Sequence, residues 1–286
     1  MHWQTARFQI DLSRPRVMGI VNLTPDSFSD GGQHASAEAG IAHCKRLVEE
    51  EGADMLDVGG ESSRPGAQAL SDDEEWSRVA PVLARAVQLG VPISIDTCKP
   101  ELMRRALLEG ADIINDIHAL ERPGALEVLA QHPTAGVCLM HMRGEPQTMQ
   151  SLTDYVNVVA EVAAYLQVRA LAAQAVGIGA ERIVLDPGYG FAKTTEQNVT
   201  LLARQAELLS LKMPLLVGWS RKRTLGDLTG RPVAERLAAG LAAALAAIER
   251  GAVIVRTHDV APTVDVIKIW QALRDNQRLN SEGQES

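Results

Sequence analysis

The chain has 286 residues, 28 basic against 36 acidic, for a formal charge of -8, and it carries no basic cluster, which argues against duplex nucleic acid or an anionic membrane as a partner. Its length is close to the ~250 residues of a single eight-fold barrel, no apolar stretch approaches the ~20 residues that span a bilayer, and the N-terminus, MHWQTARFQI, lacks the apolar core of a signal peptide. A soluble, cytoplasmic, single-domain protein is expected, and the odd, widely spaced Cys44, Cys98 and Cys138 read as reduced thiols rather than a disulfide framework or a zinc site.

Residues 1–16 precede the first apolar run and read as an N-terminal extension that plugs the bottom of the fold. The run beginning at Val17 breaks abruptly into Asn22, Thr24, Pro25, Asp26, Ser27 and the Gly31-Gly32 pair. An apolar β-type run ending in a small, polar, Gly-rich loop is how an active-site edge in an α/β protein reads. A helix is predicted over 36–50, then the same event recurs in DMLDVGGESSRPG at 54–66, with a helix over 73–88. PISIDTCKP at 92–100 precedes a helix over 99–109, and ADIINDIHAL at 111–120 one over 123–131. VCLMHMRGEP at 137–146 leads to a helix over 154–176, and RIVLDPGYGFAK at 182–193 to one over 196–209. PLLVGWSRK at 214–222 is followed by a helix over 233–249, and AVIVRTHDV at 252–260 by one over 260–273. The last stretch, 275–286, is polar and reads as a frayed tail. Eight apolar strands, each ending in ionisable or amide residues and each followed by a helix, are the signature of a (β/α)8 TIM barrel over 17–274 with its functional groups at one mouth.

Asp57, Asp96, Asn115, Asp116 and Asp186 lie at or just past apolar strands, where an unpaired carboxylate is costly and needs a partner. Asp57 and Asp116 read as members of salt bridges within the barrel. Asp96, Asn115, Asp186 and Lys222 together offer two carboxylates, an amide and an ammonium, suited to a flat, nitrogen-rich ring with an amidine-like edge. Arg256 and His258 are two apart at the last strand's end, and Asn22 ends the first strand, its neighbour in a closed barrel. Arg supplies a fork, His a further donor and Asn22 a neutral oxygen for a hard cation such as Mg2+, a set that reads as a diphosphate site. His141 reads as a hydrogen-bonded structural residue and Trp219 as packing.

The stretches NLTPDSFSDGG, DVGGESSRPGA, SIDTCKP, INDI, LMHMRG-PQTMQ (interrupted by Glu145), LDPGYGFAK, LLVGWSRK and VRTHDV fall at the eight strand ends over roughly residues 8–274. On these motifs the chain resembles the dihydropteroate synthase family of folate biosynthesis. The resemblance implies a transferase in which 4-aminobenzoate displaces diphosphate, with Mg2+, from 6-hydroxymethyl-7,8-dihydropterin diphosphate. Transferred by motif position, Asp96, Asn115, Asp186 and Lys222 would hold the pterin, and Asn22, Ser63, Arg64, Arg256 and His258 the diphosphate, with Asn22 on the metal. Phe28, Pro65, Phe191, Ser220 and Arg223 would surround the aminobenzoate, and Asp96, Lys222, Arg256 and His258 would carry the catalysis. Loops 23–35 and 61–70 would act as lids, sulfonamides would compete with 4-aminobenzoate, and the outer helices would build a homodimer. The chain departs from the family pattern at Ser63 (commonly Thr), Cys98 (Ser), His118 (Arg) and Arg223 (Ser). Two other readings are a methyltransferase-type pterin enzyme, which would call for a cobalamin-partner domain, and a non-catalytic paralogue, against which intact Asn22, Arg256 and His258 argue.

Overall fold

Strands of a closed parallel barrel are covered on both faces, which is why the apolar runs are nearly continuous instead of alternating with polar residues. The computed structural model describes residues 1–24, 32–62, 66 and 69–282. Strands β1 (His2–Gln4) and β2 (Gln9–Asp11) form an antiparallel hairpin. The remaining strands are β3 (Arg16–Asn22), β4 (Met55–Gly59), β5 (Ile93–Asp96), β6 (Ile113–Asp116), β7 (Gly136–Met140), β8 (Ile183–Asp186), β9 (Leu215–Val217) and β10 (Ala252–Thr257). They close in the order β10-β3-β4-β5-β6-β7-β8-β9, parallel throughout, with β10 pairing β3 from Ile254↔Arg16 to Thr257↔Gly19. This is the (β/α)8 barrel expected from the sequence.

Helices α1 (Gly32–Glu49), α2 (Asp72–Ala86), α3 (Pro100–Leu108), α4 (Ala125–Gln131), α5 (Val158–Ala175), α6 (Thr195–Ala203), α7 (Arg223–Thr229), α8 (Leu237–Glu249) and α9 (Val260–Glu282) follow the barrel strands. Local chemistry sets several of their starts. Ser71 with Glu74 and Thr194 with Gln197 form capping boxes on α2 and α6, and Asn157 caps α5 by accepting from Ala160 N–H. The cap at Asn157 is why α5 starts later than the pattern from 154 suggests. The segment predicted as helix over 196–209 splits into α6 and a 3-10 turn at Gln205–Leu211. The short α7 precedes the helix predicted over 233–249, and α9 runs past 273 to Glu282.

Side-chain alternation sorts each strand into two buried layers. Leu56, Val58, Ile95, Ile114, Val137, Leu185 and Val217 belong to the core between strands and helices. Met18, Met55, Ile113, Cys138, Val184, Leu216 and Ile254 form a separate cluster inside the barrel. Trp3, Ile10 and Leu12 of the hairpin region join that inner cluster. Trp3 is fully buried and its Nε1 donates to Arg182 O at 2.9 Å, while Arg7 grips buried Asp112 at 2.9 and 2.6 Å. Arg182 and Asp112 immediately precede β8 and β6, so the hairpin lies across the N-terminal end of the barrel. Trp3→Phe should cost about 1–2 kcal/mol, because it removes volume and leaves the Arg182 carbonyl without its donor. Urea unfolding measures that loss, and substrate KM values, set at the opposite end, should not move.

Candidate active site

The period of two that buries Met55, Ile113, Val184 and Ile254 inside the barrel brings Asp57, Asn115, Asp186 and Arg256, two residues further on, to the same inner face nearer the C-terminal mouth. Four residues on from Met18 the same rule delivers Asn22, and β5 contributes Asp96 opposite Asn115. The polar residues therefore converge because the apolar residues beneath them fix the register.

Arg256 is the centre of this layer. Its Nε donates to Asp57 Oδ2 at 2.5 Å and its Nη2 to Asp96 Oδ2 at 2.8 Å, while Asn115 Nδ2 donates to the same Asp57 oxygen at 3.0 Å. Asp57 is fully buried, and its salt bridge is the one its position predicts. Burial alone would lower the Arg256 pKa, but Asp57 and Asp96 hold it above its usual range. Burial raises the Asp96 pKa, with Arg256 opposing. Asp116, also read as an ion-pair partner, has a different role: its two oxygens accept the N–H groups of His118 and Leu120, both at 2.8 Å, stabilising a turn in which Ala119 and Leu120 have positive φ. Backbone donors at such a turn replace the expected cation.

The grouping of Arg256 with Asn22 and His258 is looser than the sequence suggests, because two of the guanidinium edges are turned to the carboxylates. Asn22 Nδ2 lies 3.4 Å from His258 Nε2, and Ser220 Oγ lies 3.1 Å from His258 Nδ1 and 3.3 Å from Asp259 Oδ2. Ser220, expected at the aminobenzoate, thus faces His258 and its neighbour. Arg221 pairs with Asp259 at 2.8 Å.

Asp186 is buried and its Oδ1 accepts from Gly188 N–H at 2.7 Å. Burial raises its pKa, with that N–H opposing. Lys222 Nζ stands 4.2 Å over the Phe191 ring, which brings a residue expected at the pterin against one expected at the aminobenzoate. Burial, with Asp186 opposing, pulls the Lys222 ammonium down to about 8. Arg223 does not join them. It opens α7, is 86% exposed and reaches Asp227 at 3.6 Å. Phe28, Ser63, Arg64 and Pro65 lie outside the described residues, as do 25–31, 63–65, 67 and 68 of the loops read as lids.

Two lysines escaped the sequence reading. Lys193 is buried, with Nζ donating to Gly188 O at 2.9 Å, to Phe191 O at 3.0 Å and to His141 Nδ1 at 3.0 Å. His141, the hydrogen-bonded structural residue expected, is a neutral imidazole, its pKa pushed down to about 2 by burial. Lys99 ties Glu61, Glu75 and Leu70 O together at 2.6, 2.7 and 2.7 Å, across the base of segment 61–70. A lysine following glycines at a strand end was the available signal for Lys193. Cys98 is buried and its thiol is pushed up to about 12, so it carries no thiolate. Among the described residues no three His, Cys, Asp or Glu side chains group around a metal position, and no helix is long and apolar enough to cross a membrane.

The closed barrel with carboxylates, an amide and an ammonium at its mouth falls in the class of the pterin binding enzymes, whose family profile matches residues 18–258. The dihydropteroate synthase of Neisseria meningitidis serogroup B is 52% identical over 280 residues, covering 96% of this chain and 98% of that protein. A Xanthomonas albilineans dihydropteroate synthase solved with 4-aminobenzoic acid is 50% identical with a TM-score of 0.90, covering 96% of this chain and 98% of that one. The Yersinia pestis dihydropteroate synthase in a sulfonamide drug complex is 42% identical with a TM-score of 0.90, covering 96% and 100%. The chain belongs to the pterin-binding enzyme family and, within it, to the dihydropteroate synthases, which are transferases.

Proposed function

We propose that the chain catalyses displacement of diphosphate from 6-hydroxymethyl-7,8-dihydropterin diphosphate by 4-aminobenzoate, giving 7,8-dihydropteroate. The observation that carries this reading is Arg256 fixed between Asp57 and Asp96 beside Asn115, with Asp186 and Lys222 at the same mouth. Asp186 and Asn115 pair with the amidine-like edge of the pterin, and Lys222 donates to the ring. As the C–O bond to diphosphate breaks, the leaving group keeps the electron pair and positive charge spreads over the dihydropterin. Asp96 stabilises that charge, and Arg256 opposes the protonation that burial would otherwise impose on Asp96. His258, Asn22 and the remaining Arg256 nitrogen receive the departing diphosphate. The aromatic amine is already a free nucleophile at neutral pH, so its attack on the methylene carbon needs positioning against Phe191, and the surplus proton passes to water.

Mg2+ fits this donor set only through few protein ligands: Asn22 Oδ1 and the substrate's own phosphate oxygens would hold it, neutralising charge on the leaving group. The sulfonamide complex of the Yersinia relative supports competition at the aminobenzoate site. A cytoplasmic homodimer is also part of the reading, with exposed Leu228, Val233 and Leu237 around α7 and the start of α8 offering an apolar face. Light scattering tests that.

The deciding assay is diphosphate release from the pterin substrate with and without 4-aminobenzoate. Release coupled to dihydropteroate formation is expected, and a chain that binds pterin diphosphate but never couples the two would refute the reading. A cobalamin-dependent methyl transfer would favour the alternative enzyme class.

Two outcomes follow for single residues. Pterin affinity should be full below pH ~8 and fall as pH rises through it, because the bound ring needs the ammonium form of Lys222. Calorimetry from pH 7 to 9 should show that loss, and Lys222→Met should flatten it. Arg223→Ser should leave the KM for 4-aminobenzoate within about twofold at low and high salt, since an exposed guanidinium paired with Asp227 contributes under about 1 kcal/mol. A several-fold rise would place the side chain on the carboxylate.

A further inference from the structure

Segment 187–193 wraps around the buried side-chain nitrogen of Lys193. Gly188 and Gly190 have φ of +67° and +81°, and Ala192 follows at +49°, a left-handed series that turns backbone carbonyls inward instead of toward the solvent. A Cβ at Gly188 would overlap the His141 carbonyl, so the loop lies directly on the end of β7. The Lys193 side-chain nitrogen enters the ring so made; burial pulls its pKa down to about 7, and in its ammonium form it uses its three protons on Gly188 O, Phe191 O and His141 Nδ1. Lys193 is 3% exposed, too enclosed to meet a substrate. What it holds is nonetheless functional: Gly188 N–H donates to Asp186, and the Phe191 ring supports Lys222. Gly190 N–H is secured separately by Asn198 Oδ1 at 2.8 Å, which leaves the two carbonyls flanking it to Lys193.

We propose that Lys193 is a positioning residue for both substrates: its ammonium locks the turn so that Gly188 N–H stays on the pterin-binding Asp186 while Phe191 stays beneath Lys222 at the aminobenzoate wall. The inference rests on the substrate assignments proposed above. A lysine is suited to the task because its three protons match three acceptors held in a ring, and the packed loop fixes its flexible stem. Loss of the ammonium leaves the Phe191 carbonyl and an imidazole nitrogen without that donor and Gly188 O with only the Phe191 N–H at 3.1 Å, and relaxation of the turn shifts both walls of the site together.

The test uses the full chain, beginning with coupled diphosphate release by the unsubstituted protein. An unsubstituted protein without that activity overturns the functional reading and this inference together, whereas an active one confines any failure to Lys193. In Lys193→Met, assayed far below its melting temperature, pterin affinity should weaken about tenfold and the KM for 4-aminobenzoate should rise several-fold, with a smaller change in kcat. In Lys193→Ala, added n-propylammonium should restore part of kcat/KM and 1-propanol should not. If the lysine variants do not fold, His141→Leu, which removes one acceptor and no charge, should weaken pterin affinity about threefold. Folded variants with both constants within twofold of the parent, or equal rescue by the alcohol, would reduce Lys193 to a structural filler and overturn the proposal.

Discussion

Arg256→Met should destabilise the protein by about 3–5 kcal/mol and lower turnover by about a hundredfold or more. Asp57 is fully buried and shares its Oδ2 between Arg256 and Asn115, while Asp96 depends on the same guanidinium. Removing one cation therefore leaves two carboxylates facing each other in a low-dielectric barrel, and the amide of Asn115 compensates only one of them. Pterin affinity should fall along with turnover, because one of the disturbed acids is Asp96, proposed above to face the pterin. His258→Ala provides the contrast: the imidazole lies between Asn22 and Ser220 and its removal leaves the Arg256 ion pairs intact, so turnover should drop with little change in stability and with free pterin still bound. Urea unfolding combined with pterin calorimetry on both variants separates the two patterns. An Arg256→Met protein as stable as its parent would show that the two acids are not both ionised in the native state.

Asp186→Asn should cost about 2–4 kcal/mol of pterin affinity. One carboxylate oxygen is occupied by Gly188 N–H at 2.7 Å, so an asparagine there would keep its oxygen on that donor and turn its NH2 toward the ligand. Donor would then meet donor in a buried pocket, a mismatch that water cannot relieve. Because the shape is unchanged, the melting temperature should move little. Affinity within twofold of the parent would remove Asp186 from the pterin edge.

The strands were legible because a closed parallel barrel demands apolar character on both faces, and the polar ends of β5, β6 and β8 stood out against it. The inner face was legible too, since Asp57 and Arg256 follow Met55 and Ile254 by two. Which acid would hold which base was not. Asp57 and Arg256 are 199 residues apart, and only closure of the ring decides that the guanidinium turns to Asp57 and Asp96 instead of remaining with His258. Asp116 misled for a related reason: one residue beyond Asn115 it faces away from the mouth, where a left-handed turn offers backbone donors that composition does not reveal. Arg223 looked functional by its place after Lys222, yet the short α7 it opens carries its side chain out to Asp227. Lys193 went unnoticed because a lone lysine among glycines reads as solvated loop, and its burial comes from the fold of 187–193 over His141.

The ring of strands is sealed by β10 against β3, with Arg256 registered beside Met18. A ribosome emits Asp57 and Asp96 long before it emits the guanidinium that neutralises them. Nascent chains must therefore carry these acids hydrated or protonated, on strands whose inner face cannot yet close. Joining the first and last strands ends that state in one move, and the same move creates the charge pattern a pterin can recognise. Substrate affinity in a refolding or cotranslational experiment should then appear late, together with the longest-range contacts and not with the early helices. Ligand binding becomes a readout of ring closure, and a protomer stalled one strand short would have no means of capturing the diphosphate ester it could not process.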